Sequence, residues 1–283
     1  AEMDLLALAR ESLVVIEDED TEALKNLLII GGSPQGARPK ALIKFDSTNN
    51  RVSTLPTAAG DDWLVKFPAR GENQSVCAAE HVYAQLAKQC GLNMPDTQFF
   101  DLGSGYGAFG VKRFDRDNGM RIHVHTLAGL LNTNFRLPTL SYTQLLRCIR
   151  ALTHSELEVI QGYRQCVFNV VFHNRDDHSK NFSFMMDSVG NWALSPAYDL
   201  SFNTGLNGEH NMDIMGEGKN IKLKHLLDLA KNSDIKPAIA RDIIEQTVAV
   251  AGTLYSQLKN YPIDLELTQR ICQHVVQNMA CME

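Results

Sequence analysis

No cysteine in this chain stands two residues from another, and none has a histidine at the matching spacing of a zinc site. The six cysteines (Cys77, Cys90, Cys148, Cys166, Cys272, Cys281) are scattered. This excludes a zinc ribbon or a C-x-x-C redox pair and points to reduced, mostly buried thiols in a cytoplasmic protein. Long apolar runs are also missing. Nothing approaches the roughly 20 residues that span a bilayer, and the start lacks the basic-then-apolar pattern of an export signal, so the expectation is no membrane association. Basic excess is absent too: 33 acidic against 27 basic residues give a net charge of -6. With no broad attraction to phosphate backbones or anionic lipid, direct nucleic-acid binding is not expected. There is no internal repeat and no low-complexity linker.

What is present is an ordinary globular composition, 44% hydrophobic and 21% charged, over 283 residues. That length suits one or two domains. After the acidic stretch Glu17 to Glu22, the first third reads as short strands and turns: Leu27 to Ile30, a Gly-rich turn, Ala41 to Phe45 and Trp63 to Phe67. A helix is predicted next, because Val76, Ala79, Tyr83, Leu86 and Cys90 recur at steps of three and four, with Ser75 near its start and Gly91 past its end. Phe99 to Leu102 and Ala108 to Phe114 read as strands around the turn Gly103 to Gly107. From about residue 115 the pattern turns helical: Tyr142 to Leu152, Glu156 to Phe172, Pro237 to Leu258 and Leu265 to Met279. Ser155 and Glu158 predict a capping box, and Pro237 suits a first helical position. A short hairpin, Phe182 to Met185 and Trp192 to Leu194, turns at Asp187 to Asn191. A strand-rich part followed by a helical part, with a cleft between, makes an α+β fold.

The densest polar cluster is Asn174-Arg175-Asp176-Asp177-His178-Ser179-Lys180-Asn181, set between two apolar elements. Phosphoryl transfer from ATP needs a carboxylate to receive the attacking hydroxyl's proton and oxygen ligands for Mg²⁺. Asp176, Asn181 five residues on, and Asp199 beyond the hairpin have that order. D-x-x-x-x-N alone is weak, since a solvated loop also carries such residues. The remaining parts lie upstream. Lys66 is a charge in an apolar strand, costly unless neutralised, and Glu80 on the following helix is its natural partner. The turn Gly31 to Lys40 lacks both G-x-G-x-x-G and a P-loop lysine, but its glycines free backbone N-H groups while Arg38 and Lys40 add positive charge. An alternative use of the cluster is a metal-dependent phosphohydrolase built on His173, Asp176, Asp177 and His178. A catalytically silent binding module is a third class, and a small-molecule kinase shares much of the architecture.

Five ordered motifs resemble the HipA family of bacterial serine/threonine kinases: Gly36-Ala37-Arg38-Pro39-Lys40, Ala79-Glu80-His81-Val82-Tyr83, Val111-Lys112-Arg113-Phe114-Asp115-Arg116, Asp176-Asp177-His178-Ser179-Lys180-Asn181 and Pro196-Ala197-Tyr198-Asp199-Leu200. The resemblance implies a two-lobed protein-kinase-like fold, with residues 1–114 as a strand-rich N-lobe and 115–283 as a helical C-lobe. It implies Asp176 as catalytic base, Asn181 and Asp199 as Mg²⁺ ligands, and Lys66, oriented by Glu80, on the ATP phosphates. Gln35, Gly36, Ala37, Arg38, Pro39 and Lys40 would cover those phosphates. Lys112, Arg113 and Phe114 would form the adenine hinge, while His178, Ser179, Lys180 and Tyr198 complete the ATP site. Ser33 falls where members carry an autophosphorylated serine, and a group of about -1.5 to -2 charge there would repel nucleotide. The family also implies a protein substrate such as an aminoacyl-tRNA synthetase, growth arrest as the outcome, and an antitoxin protein partner. Two departures stand out. The chain is shorter than the fuller members, lacking much of their added N-terminal subdomain, and Lys112 stands where a glutamate often precedes the arginine.

Overall fold

A computed structural model describes residues 38–117, 119–134 and 140–283. The expected strand Leu27 to Ile30, with Ser33, Gln35, Gly36 and Ala37, lies outside the described residues. The first lobe is a five-stranded antiparallel sheet in the order β2-β1-β3-β5-β4, formed by β1 (Lys40–Asp46), β2 (Arg51–Ser53), β3 (Asp61–Lys66), β4 (Thr97–Gly103) and β5 (Tyr106–Lys112). Alternation sorts its two faces. Ala41, Ile43, Phe45, Trp63 and Val65 bury one apolar face, while Lys66 and Phe109, paired across β3 and β5, stand on the other. That second face receives α1 (Ser75–Gln89), whose Cys77 and Ala78 pack on Phe99 and Phe109. Gly110 must be glycine here, because a Cβ would lie 2.5 Å from the Phe100 ring.

Helix α1 is buried nearly all round, and its lower surface joins the main core of the second lobe through Val82, Tyr83 and Leu86. It begins without a side-chain cap at Gln74; Asn73 Oδ1 accepts from the Ser75 amide instead, and Ser75 Oγ accepts from Asp264 N. After the small ribbon β6 (Arg116–Asp117) and β7 (Met120–Arg121), β8 (His123–Thr126) pairs with β9 (Ser183–Met186) and β9 with β10 (Trp192–Leu194). The helices of this lobe are α2 (Leu127–Leu130), α3 (Tyr142–Thr153), α4 (Glu156–Val171), α5 (Leu223–Asn232), α6 (Pro237–Ala251), α7 (Leu254–Leu258) and α8 (Leu265–Ala280). This is the α+β, two-lobed arrangement expected from the sequence.

Three local details differ from the expectation. The helix predicted over Pro237 to Leu258 is two helices, parted at Gly252 and Thr253, where glycine's low helix propensity coincides with Thr253 Oγ1 donating to Val250 O. Only half of the Ser155/Glu158 box forms: Ser155 Oγ accepts from Glu158 N, but the Glu158 carboxylate turns away to accept from Leu194 N at 3.2 Å. The cysteines are free, yet only Cys77, Cys90 and Cys166 are buried, with Cys148 and Cys272 half-buried and Cys281 exposed. Among the described residues no helix is long and apolar enough to cross a membrane.

Candidate active site

The loop from His173 to Phe182 leaves the end of α4, turned out of the helix by His173 at φ 56°. It is anchored through Asp177 by Tyr142, His210 and Asn211, none of which the sequence marked as site residues. The fully buried Asp177 carboxylate accepts from the Tyr142 hydroxyl at 2.7 Å, from His210 Nδ1 at 2.7 Å and from the Asn211 amide at 2.8 Å. Asn169 Nδ2 donates to Tyr142 Oη, and Asn174 Nδ2 to Asn169 Oδ1. Arg175 binds the carbonyls of Gly208 and Lys219, and its own carbonyl accepts from Asn211 Nδ2. The Asp177 carboxylate, with three donors on it, is the satisfied centre of this network, while Asn174 Oδ1 and Arg175 Nε are buried with no hydrogen-bond partner among the described residues. Its purpose is visible in the neighbour: Asp176, beside the anchored Asp177, keeps a side chain that is 47% exposed.

Asn181 Nδ2 donates to the Asp176 carbonyl at 2.8 Å, which orients the amide so that its oxygen is left for other partners. Tyr198 ties the second acidic segment to this loop, donating to Lys180 O and accepting from Ser183 Oγ, both at 2.6 Å. Asp199 follows in the left-handed region at φ 57°, an uncommon conformation for a non-glycine residue that is held by these surroundings. Its carboxylate meets Lys66 Nζ at 2.5 Å. The same Nζ meets Glu80 Oε1 at 2.5 Å, so a single ammonium joins the sheet, α1 and the Asp199 segment. Burial pulls the Lys66 pKa down, but the two carboxylates outweigh it and the group is held charged. The Lys66 charge in turn lowers Asp199 to about 2 against the opposing effect of burial.

Arg38 closes the far side of Glu80. It forms a bidentate pair with Glu72 at 2.7 and 2.9 Å and reaches Glu80 Oε2 at 3.5 Å. Lys40 has its pKa lowered by burial and by the nearby Lys66 charge. His178 Nε2 lies 3.9 Å from Asp176 Oδ1, and Ser179 is buried in the same loop. At the expected hinge, the Lys112 and Arg113 amides already donate to Asp96 O and Asp62 O, and the side chains pair with Asp61 and Asp115. Phe114, at the same expected hinge, has its ring 5.5 Å from that of Tyr198.

The phosphohydrolase cluster does not assemble. His173 is stacked on His274, Asp177 is consumed by the buried network, and no group of three or more His, Cys, Asp or Glu side chains among the described residues is placed to hold a metal. Lys66, Glu80, Asp199 and the open Asp176 instead converge from both lobes.

The family model described as the HipA-like C-terminal domain matches residues 32–254. The chain belongs to the HipA-like C-terminal domain family. A Sinorhizobium fredii protein named "Putative kinase Y4dM" is 26% identical over 270 residues, 84% of this chain and 66% of that protein. A Haemophilus influenzae "Putative kinase" is 26% identical over 191 residues, 60% of this chain and 52% of its own length. Among solved structures, HipA of the Shewanella oneidensis toxin–antitoxin system, in a complex with HipB and operator DNA, superposes with a TM-score of 0.67 at 20% identity, covering 88% of this chain and 63% of that one. The Helicobacter pylori proinflammatory kinase CtkA gives 0.52 at 15% identity, covering 80% and 89%. Both show a kinase-like fold for this HipA-family chain. It spans about two thirds or less of the curated relatives it matches.

Burial raises the Asp176 pKa, with Asp199 and Asp177 adding to the effect and His178 opposing it. If Asp176 is the base that the resemblance implies, it must be ionised to accept a proton, so activity is expected to fall as pH drops through this raised value, above the roughly 3.9 of a free aspartate. A pH profile of single-turnover transfer measures the acid limb, and a midpoint at or below that of a free aspartate contradicts the assignment.

Proposed function

We propose that this HipA-family chain is an ATP-dependent kinase that transfers the γ-phosphoryl group to a serine or threonine of a protein. The observation that carries the reading is Lys66 held between Glu80 and Asp199 while Asp176 stays half-exposed, close enough to Asp199 to feel its charge. Protein kinases require the lysine–glutamate pair and the metal-binding aspartate together. Asp176 orients the attacking hydroxyl and accepts its proton; Lys66 faces the nucleotide phosphates. The residues present fit Mg²⁺: Asp199 is anionic with a carboxylate 45% exposed, and Asn181 has its amide nitrogen engaged elsewhere. Mg²⁺ bound there would offset charge on the transferring phosphoryl group.

The finer reading rests on the family. It comprises N- and C-lobes meeting near residues 114 and 115, autophosphorylation at Ser33, an aminoacyl-tRNA synthetase as substrate, growth arrest in the cytoplasm and an antitoxin partner. The HipA neighbour's complex with HipB supports a partner of that kind.

Incubation with γ-labelled ATP and Mg²⁺ tests the reading. Label is expected on the wild-type chain or on a protein in a cell extract, lost when EDTA removes the metal or when Asp199→Asn removes its ligand. Ser33→Ala is expected to abolish self-labelling alone. ATP hydrolysis with no label on any protein would sink the protein-kinase reading in favour of a small-molecule kinase or an ATPase.

A further inference from the structure

Beside the Asp199 segment, with Ala197 in its wall, lies a pocket of about 130 Å³ that opens to solvent. The residues after α1, the outer turns of α4 and the chain leaving β10 enclose it. Leu92, Leu194 and Ala197 give it apolar walls, and Glu158, Gln161 and Gln165 give it polar ones. Three of these groups have hydrogen-bonding capacity that no described residue uses, and one of them, Gln161 Oε1, is fully buried. Gln165, another lining residue, is only 4% exposed, and its side chain forms no hydrogen bond with any described residue. Gln161 donates through Nε2 to Gly91 O, but its Oε1 is buried with no hydrogen-bond partner. Glu158 accepts only the Leu194 amide and forms no ion pair among the described residues. Arg164, on the same helix, directs its guanidinium to Cys90 O and Gln246 Oε1 instead. Burial without a neighbouring cation raises the Glu158 pKa.

Buried polar groups are normally satisfied, and those that are not mark a ligand or ordered water. The oxygens here are in excess, and one belongs to a carboxylate with no counter-charge. We infer that this cavity is a second binding site, taking a small organic cation whose ammonium or guanidinium group sits between Glu158, Gln161 Oε1 and the Gln165 amide. The apolar walls receive the ligand's alkyl portion. The site touches the functional segment through its own wall: Ala197, two residues before Asp199, donates its amide to Asn93 O at 2.8 Å across the cavity edge. An occupant that fills the space steadies this contact.

Calorimetric titration with agmatine, which carries both cationic groups on a short alkyl chain, tests the site. Saturable one-to-one binding is expected, weakened roughly 10- to 100-fold by Glu158→Gln through loss of the charge-assisted hydrogen bond. Gln165→Leu, which keeps the volume and removes the amide, is also expected to weaken it and serves if the first variant does not fold. Slower hydrogen exchange at the Ala197 amide on saturation is expected from the wall contact. Absence of binding at millimolar agmatine, or equal affinity in wild type and variants, overturns the proposal and leaves ordered water as the partner of these groups. None of these readouts depends on phosphoryl transfer.

Discussion

Asp176→Ala is expected to slow phosphoryl transfer by about a hundred- to ten-thousandfold, the range contributed by a positioned general base. The loss should fall on the chemical step and leave ATP affinity near wild type, because the nucleotide phosphates are assigned to Lys66 and the Arg38–Lys40 turn. The fold should survive. Asp176 carries a side chain that is 47% exposed, and the network that holds its loop runs through Asp177. Linkage gives a sharper diagnostic. A carboxyl whose folded-state pKa is raised binds its proton more readily when folded, so its contribution to stability is greatest below the unfolded pKa and declines as pH rises through the folded one. At neutral pH the ionised Asp176 therefore opposes folding, and Asp176→Asn should leave Tm unchanged or raise it while abolishing activity. Thermal melts alongside single-turnover assays check both halves. A variant that loses activity and Tm together would make Asp176 a structural residue.

The parts of this site that were legible in the sequence are those whose chemistry restricts residue type and whose spacing is local. Asp176 and Asn181 occupy one loop, and Asn181 bonds the Asp176 carbonyl across it. Lys66 stood out because a lone charge in Trp63-Leu64-Val65-Lys66-Phe67 demands a partner, and Glu80 does lie on it. Asp199 joining the same ammonium could not be read from spacing, since 133 residues separate it from Lys66. The same holds for His210 and Asn211, which fall in an irregular stretch without periodicity and act only once folding brings them to Asp177. Helix α5 escaped for a local reason: Lys222 precedes its first turn where Ser, Thr, Asp or Asn would signal a start, and His225 Nδ1 accepts the Lys222 amide instead. Glu158 misled because a capping box and a bond to Leu194 N require the same carboxylate, and the tertiary partner won.

Asp177→Ala should be the most destabilising single change in the loop, costing about 3–5 kcal/mol, as expected when one partner of a buried, hydrogen-bonded charged group is removed. Alanine leaves the Tyr142 hydroxyl, the His210 ring and the Asn211 amide without their acceptor in a region where Tyr142 and His210 are themselves buried. Asp177→Asn keeps the shape and one acceptor oxygen, so its cost should be smaller, although its NH₂ group meets donors from Tyr142 and His210. Chemical denaturation compares the two at equal slope. The consequence for function separates this residue from its neighbour. Because Asp177 holds the backbone that presents Asp176, Asp177→Asn is expected to reduce transfer well beyond its effect on stability, with ATP binding through Lys66 retained. A 1 Å misplacement of a reacting group can cost about a hundredfold, and the loop has no other buried carboxylate to hold it. If Asp177→Asn keeps full activity while melting early, the clamp through Tyr142 and His210 serves the fold alone, and Asp176 takes its position from Asn181.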